Sequence, residues 1–80
     1  MWPYLVGVEI HSRIHLEEVE ARLALLNARR ITSGVWMLKS DYTPDALRSA
    51  LKMLLDEWES YFFVAVDEDF YAENLEIRNV

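Results

Sequence analysis

Thr43-Pro44-Asp45-Ala46-Leu47-Arg48 is the clearest helix start in the chain, and strongly apolar, strand-like runs lie on both sides of it. Thr43 suits the N-cap, Pro44 suits the first helical position where a missing N–H costs nothing, and Asp45 complements the positive end of the helix dipole. Leu47, Leu51, Leu54, Leu55 and Trp58 then recur at helical spacing as a buried stripe, with Ala50 at a tight spot. Val35-Trp36-Met37-Leu38 precedes this helix, and Tyr61-Phe62-Phe63-Val64-Ala65-Val66-Asp67 follows it as a long strand over 60–67. A helix held between two such strands must cover a sheet, which confines the chain to a short menu of folds.

The first half supplies the matching pieces. Tyr4, Val6, Val8 and Ile10 alternate with Leu5, Gly7, Glu9 and His11, the period-two pattern of a strand over 4–10. Its purely apolar face belongs against helices, and Gly7 on the other face leaves room for a close neighbour. A helix over 12–27 follows, with Leu16, Val19, Leu23 and Leu26 as its buried stripe. Glu17, Glu18 and Glu20 are expected near its positive end, and Arg29 and Arg30 follow its negative end. Residues 29–32 and 35–39 read as a hairpin turning at Ser33-Gly34, with a single long strand bulged at Gly34 as the competing reading.

The resulting β-α-β-β-α-β order predicts one domain over 1–80: a ferredoxin-like α/β sandwich, an antiparallel sheet with two helices on one face. Leu75 and Ile77 alternate in the tail over 70–80, which is enough for a short fifth strand. The uncovered face is expected to carry Leu5, Gly7 and Glu9 with Tyr61, Phe63 and Ala65, joined by either Val35/Met37/Lys39 or Trp36/Leu38. Such a face is too apolar to leave in water. The natural resolution is a homodimer packed sheet to sheet through Leu5, Met37, Tyr61 and Phe63, with Leu75 and Ile77 reaching a partner's sheet edge.

Composition removes several function classes. The chain has no cysteine, so disulfides, thiolate metal sites and a cysteine nucleophile are excluded. A net charge of −6 disfavours broad binding to nucleic-acid phosphates. No apolar run approaches the roughly 18 residues of a membrane span, and Met1-Trp2-Pro3 does not begin a signal peptide, so the expectation is a cytoplasmic protein with no membrane partner. Acidic residues gather in Glu17-Glu18-Glu20, Asp56-Glu57-Glu59 and Asp67-Glu68-Asp69, runs that ordinarily form solvated faces.

Candidate chemistry is sparse. His11 and His15 fall on either side of a strand-to-helix junction with no third ligand near in sequence, so a solvent-exposed or capping role is favoured over zinc. Ser12 and Ser33 lack any nucleophile-elbow context. Trp36, Tyr61 and Phe63 would stack bases if they lay on an open sheet, but core or interface packing is the favoured reading. The acidic runs would also suit mimicry of a nucleic-acid backbone that inhibits a basic partner.

Tyr4-Leu5-Val6-Gly7-Val8-Glu9-Ile10, Val35-Trp36-Met37-Leu38-Lys39-Ser40, the Pro-Asp-Ala-Leu-Arg helix start and Phe62-Phe63-Val64-Ala65-Val66 form an order that resembles a known group. It is similar to the small CRISPR-associated adaptation subunits, the virulence-associated protein D group and their uncharacterised bacterial relatives, over nearly the whole chain. That resemblance implies a ferredoxin-like homodimer. Some members of the group are metal-dependent ribonucleases, and others are structural dimers in nucleic-acid complexes. The family's metal-binding aspartate at the end of the first strand matches Glu9 here, a carboxylate one methylene longer. Glu9 and its copy across a dimer would then hold Mg2+, a hard cation that suits oxygen ligands, and activate water. His11 would be a general base beside it, and the bland alternative pairs Glu9 with Lys39. The expectation is a homodimeric interaction module without efficient catalysis; the alternatives are a metal-dependent endoribonuclease using Glu9 and an acidic inhibitor of a basic protein partner.

Overall fold

The structure, a computed structural model, describes residues 2–55 and 59–66. Both helices begin where hydroxyl residues offer a cap. The Ser12 hydroxyl accepts from the His15 N–H at 3.0 Å and opens α1 (Arg13–Ala24). The Thr43 hydroxyl accepts from the Ala46 N–H at 3.2 Å and opens α2 (Pro44–Leu54), with Pro44 in its first turn as expected. The glutamates of α1 fall later than expected: its first turn holds no acidic residue, because the helix starts at Arg13. It closes at Asn27, which takes φ 60° while the Asn27 N–H donates to Ala24 and the Ala28 N–H donates to Leu23. That is the left-handed closure that asparagine tolerates better than most side chains.

The strands are β1 (Trp2–Val8), β2 (Arg29–Thr32), β3 (Val35–Ser40) and β4 (Tyr61–Ala65). They form one sheet in the order β2-β3-β1-β4 with every neighbouring pair antiparallel. This is the ferredoxin-like βαββαβ arrangement, in which each helix carries the chain past one strand to the next. The hairpin reading holds: Ser33-Gly34 turns the chain between β2 and β3, and the register shifts at Ile31, between Arg30 and Thr32, instead of at Gly34. Gly34 sits at φ 85°, and its carbonyl accepts from the Val8 N–H at 2.8 Å, so the turn is pinned to the end of β1.

The core lies between the helices and one sheet face. Tyr4, Val6 and Val8 of β1 and Trp36 and Leu38 of β3 meet Val19 and Leu23 of α1, Leu47 and Leu51 of α2, and Leu55. Burial of each such aliphatic side chain contributes about 1.5–3 kcal/mol. The Tyr4 hydroxyl donates to the Tyr42 carbonyl at 2.7 Å, so its polar end is satisfied inside this core. Arg30, opposite Trp36 on β2, reaches Glu20 of α1 at 3.0 Å and ties the edge strand to the helix above it. Trp58, expected in the α2 stripe, lies outside the described residues, as do Leu75 and Ile77 of the tail and its proposed fifth strand.

Cross-strand pairing sets which residues face away from the helices. Leu5 pairs with Met37 and Val64, and Gly7 pairs with Val35 and Phe62, so these residues line the helix-free face. The open question between Val35/Met37/Lys39 and Trp36/Leu38 is settled in favour of the first set. Tyr61 and Phe63, expected on the helix-free face, lie on the helix side instead. They stand opposite Val8 and Val6, pack against the core cluster, and Phe63 meets the Tyr4 ring edge-on at 6.1 Å. Phe62 and Val64 take the exposed positions, at 58% and 45% exposure. Met37 shares the helix-free side but is itself buried.

Candidate functional site

Both glycines of the chain meet at one end of the sheet. There, Gly7, Val8, Glu9, Ser33, Gly34, Val35, Ser60, Tyr61 and Phe62 line an open depression of about 480 Å³. Two backbone hydrogen bonds between residues distant in the chain build it. The Ser33-Gly34 turn closes onto Val8, the Glu9 N–H donates to the Ser60 carbonyl at 2.9 Å, and the two connections thereby converge on the end of β1. The Phe62 ring then occupies the space over Gly7 in which any Cβ would overlap it. An exposed acidic residue, two serines and the aromatic residues Tyr61 and Phe62 thus line one hollow, and no lysine, arginine or histidine lines it among the described residues.

Glu9 itself falls beyond the end of β1, in the connection to α1, and is exposed. It does not pair with Lys39: that residue stands opposite Pro3, at the far end of β1. His11 also lies past the strand, so strand alternation does not carry the two side chains to one face. Mg2+ keeps several of its own waters and is usually held by one or two protein carboxylates. Among the described residues, Glu9 is the only carboxylate lining this hollow, and no group of three or more His, Asp or Glu is placed to hold a metal ion. One subunit's described residues therefore supply a single carboxylate, Glu9, toward the metal that the family resemblance implies, and the second would come from its copy across a dimer.

The histidines serve a second arrangement. His15 is the third residue of α1, and its Nδ1 accepts from the His11 backbone N–H at 3.1 Å while Ser12 accepts from His15. This is a capping box with histidine in the usual glutamate position, reaching one residue further back. Because Nδ1 accepts, the ring proton resides on Nε2, which lies 2.7 and 2.9 Å from the two Glu59 carboxylate oxygens and donates to them. The Glu59 side chain is 7% exposed, with Arg22 of α1 3.9 Å away. The His11 ring stacks on His15 with centroids 5.2 Å apart. His15 thus has both nitrogens engaged and joins the start of α1 to the segment before β4, a structural task. Nothing in the sequence links His15 to Glu59, 44 residues away; the only signal was the Ser12-x-x-His15 spacing of a cap.

The three aromatic residues considered for base stacking all face the helices. Trp36 is fully buried, and Tyr61 and Phe63 pack on the core. The Trp36 indole N–H has no hydrogen-bond partner among the described residues. Among the described residues, Phe62 is the aromatic ring that the helix-free face presents. The acidic run at Asp67-Glu68-Asp69 lies outside the described residues, as do Asp56 and Glu57.

Compared with protein families, curated proteins and solved structures, the chain matches none. No helix among the described residues is long and apolar enough to cross a membrane.

Proposed function

We propose that this protein is an interaction module that self-associates through the helix-free face of its sheet and carries no efficient catalytic centre. One observation supports the reading above others: Phe62 and Val64, alternate residues of β4, stand exposed on that face beside Leu5 and Val35. Each exposed ring or branched side chain forfeits the burial that a second copy would supply, at about 25 cal/mol per Å² of apolar surface. A second copy is the partner of choice because the same face on each subunit is complementary under a two-fold axis. The reading agrees with the dimeric habit of the small CRISPR-associated adaptation subunits that the strand order resembles.

The experiment is a solution mass measurement across the micromolar range on wild type and Phe62→Asp. The expected result is twice the monomer mass for wild type and a shift to monomer for the variant, with the far-UV spectrum unchanged. A wild type that stays monomeric throughout that range would end the proposal. The ribonuclease alternative needs two Glu9 carboxylates brought together across such a dimer; labelled RNA with magnesium, cleaved by wild type and spared by Glu9→Ala, would replace the present reading.

A further inference from the structure

We infer that the His15 ring is an acid-released latch: proton uptake frees the His11 backbone N–H, and with it the connection from β1 to α1, while the Glu59 contact holds. The inference does not rest on the dimer, because the groups involved all lie within one subunit. Both ring nitrogens have assigned parts. Nδ1 accepts from the His11 N–H at 3.1 Å, and Nε2 carries the ring proton that faces the two Glu59 oxygens at 2.7 and 2.9 Å. The second proton of an imidazolium therefore enters at Nδ1. An accepting nitrogen then becomes a donor, and two N–H groups confront each other where one hydrogen bond stood. A glutamine at this position of a capping box would accept at any pH. Histidine makes the contact depend on the ionisation that this residue type ordinarily undergoes between pH 5 and 8.

The charged groups around the ring, among the described residues, decide which contact survives. From the segment before β4, the nearly buried Glu59 carboxylate strengthens its hold on Nε2 as the ring gains charge. From α1, Arg22 lies 3.9 Å from Glu59, Glu18 stands exposed one turn beyond His15, and Arg13 and Glu17 pair with each other in solvent. The positive end of the α1 dipole opposes a cation at its third residue. From the β1–α1 connection, the His11 ring stacks on His15 at 5.2 Å. The carboxylate keeps the imidazolium, and the bond lost is the one to His11. Neighbouring contacts limit how far the release spreads. The Glu9 N–H is held by the Ser60 carbonyl at 2.9 Å, Ile10 packs against the core, and Ser12 caps the His15 N–H. Release is thus confined to the backbone around His11, next to Glu9 at the edge of the hollow.

The test is a heteronuclear magnetic-resonance titration of the isotope-labelled full chain from pH 8 to pH 4.5. Ring nitrogen shifts report which His15 nitrogen holds the proton, and the residue 11 amide reports the latch. At pH 8 the ring proton is expected on Nε2. As Nδ1 takes up the second proton, the residue 11 amide should shift with the same midpoint. Its solvent exchange, corrected for the ordinary pH dependence, should rise about fivefold, the worth of one hydrogen bond. His11→Ala keeps the backbone N–H and removes that ring's own titration, so the response should persist in this variant. His15→Gln should abolish it. A ring proton on Nδ1 at pH 8, a residue 11 amide that ignores the His15 ring, a response that survives His15→Gln, or a His15 ring that takes up no proton while the fold lasts would each overturn the latch.

Discussion

Phe62 lays its ring across Gly7, its partner on the neighbouring strand, filling the place of the side chain that glycine lacks. The pair explains why the helix-free face can carry a glycine at a central strand without a gap in the sheet. An aromatic residue opposite a glycine shields the bare backbone and restores a cross-strand contact. The same ring also lines the hollow at this end of the sheet, so the contact links sheet stability to the candidate site.

A double-mutant cycle should detect that link. Phe62→Ala is expected to cost about 0.5–1 kcal/mol, the scale of one cross-strand pair. Gly7→Ala forces the ring outward, but the ring is the exposed end of a side chain and can yield, while alanine favours the strand. Its net effect should stay within about 1 kcal/mol. In the Gly7→Ala background the ring has already left its seat, so Phe62→Ala should cost measurably less. Urea denaturation of the four proteins gives the coupling; strict additivity would show that the ring contributes nothing through Gly7.

Phe62 and Phe63 are neighbours in sequence with opposite surroundings, and aspartate at each should separate them. Phe63→Asp places a charge against the core beside Tyr4 and is expected to cost more than about 3 kcal/mol, enough to unfold a domain of this size. At concentrations where wild type is monomeric, Phe62→Asp leaves the thermal midpoint within a few degrees of it, because a ring that is 58% exposed in the subunit is exchanged at the surface. Thermal melts followed by circular dichroism check both. A Phe63→Asp protein as stable as Phe62→Asp would mean that the two faces of β4 have been interchanged.

That pair marks the limit of what could be read from the chain. The order of elements, both helix caps and the Ser33-Gly34 hairpin were legible, because capping residues, glycine and helical periodicity leave local signals. β1 was legible in part: the alternation of Tyr4, Val6 and Val8 marks its helix-facing side, but the strand runs over 2–8 instead of 4–10, and Glu9 lies beyond it. β4 gives no such mark: Tyr61, Phe62, Phe63, Val64 and Ala65 are all apolar or small, and period-two alternation cannot say which set faces the helices. Its register is fixed by pairing with β1, a contact between residues more than fifty apart in the chain. The hollow was illegible for a related reason. Glu9 stood out as an acidic residue near a strand end, but Ser33, Gly34, Ser60 and Phe62 join it only through the closure of two distant connections.

The His15–Glu59 contact should carry measurable stability. His15→Ala removes the acceptor for the His11 N–H and leaves a nearly buried Glu59 carboxylate without its closest donor. Loss of a cap and of a charge-assisted hydrogen bond together should cost about 2–3 kcal/mol. Glu59→Gln keeps an oxygen for the Nε2–H and should cost about half of that. Chemical denaturation ranks the two, and equal costs would indicate that the carboxylate charge, and not the cap, dominates.

Gly34 tests whether the hollow depends on its turn. The residue sits at φ 85°, where an L side chain is strained, and a Cβ there would lie 3.0 Å from the Val8 carbonyl oxygen. The obstacle is backbone, so it cannot swing aside as the Phe62 ring can. Gly34→Ala is therefore expected to cost about 1–2 kcal/mol, more than Gly7→Ala, even though both add one methyl group. Because the Gly34 carbonyl also holds the Val8 N–H, the strain should appear locally as faster amide exchange at Val8. If Gly34→Ala proves no more costly than Gly7→Ala and Val8 keeps its protection, the turn is not what holds this end of the sheet closed.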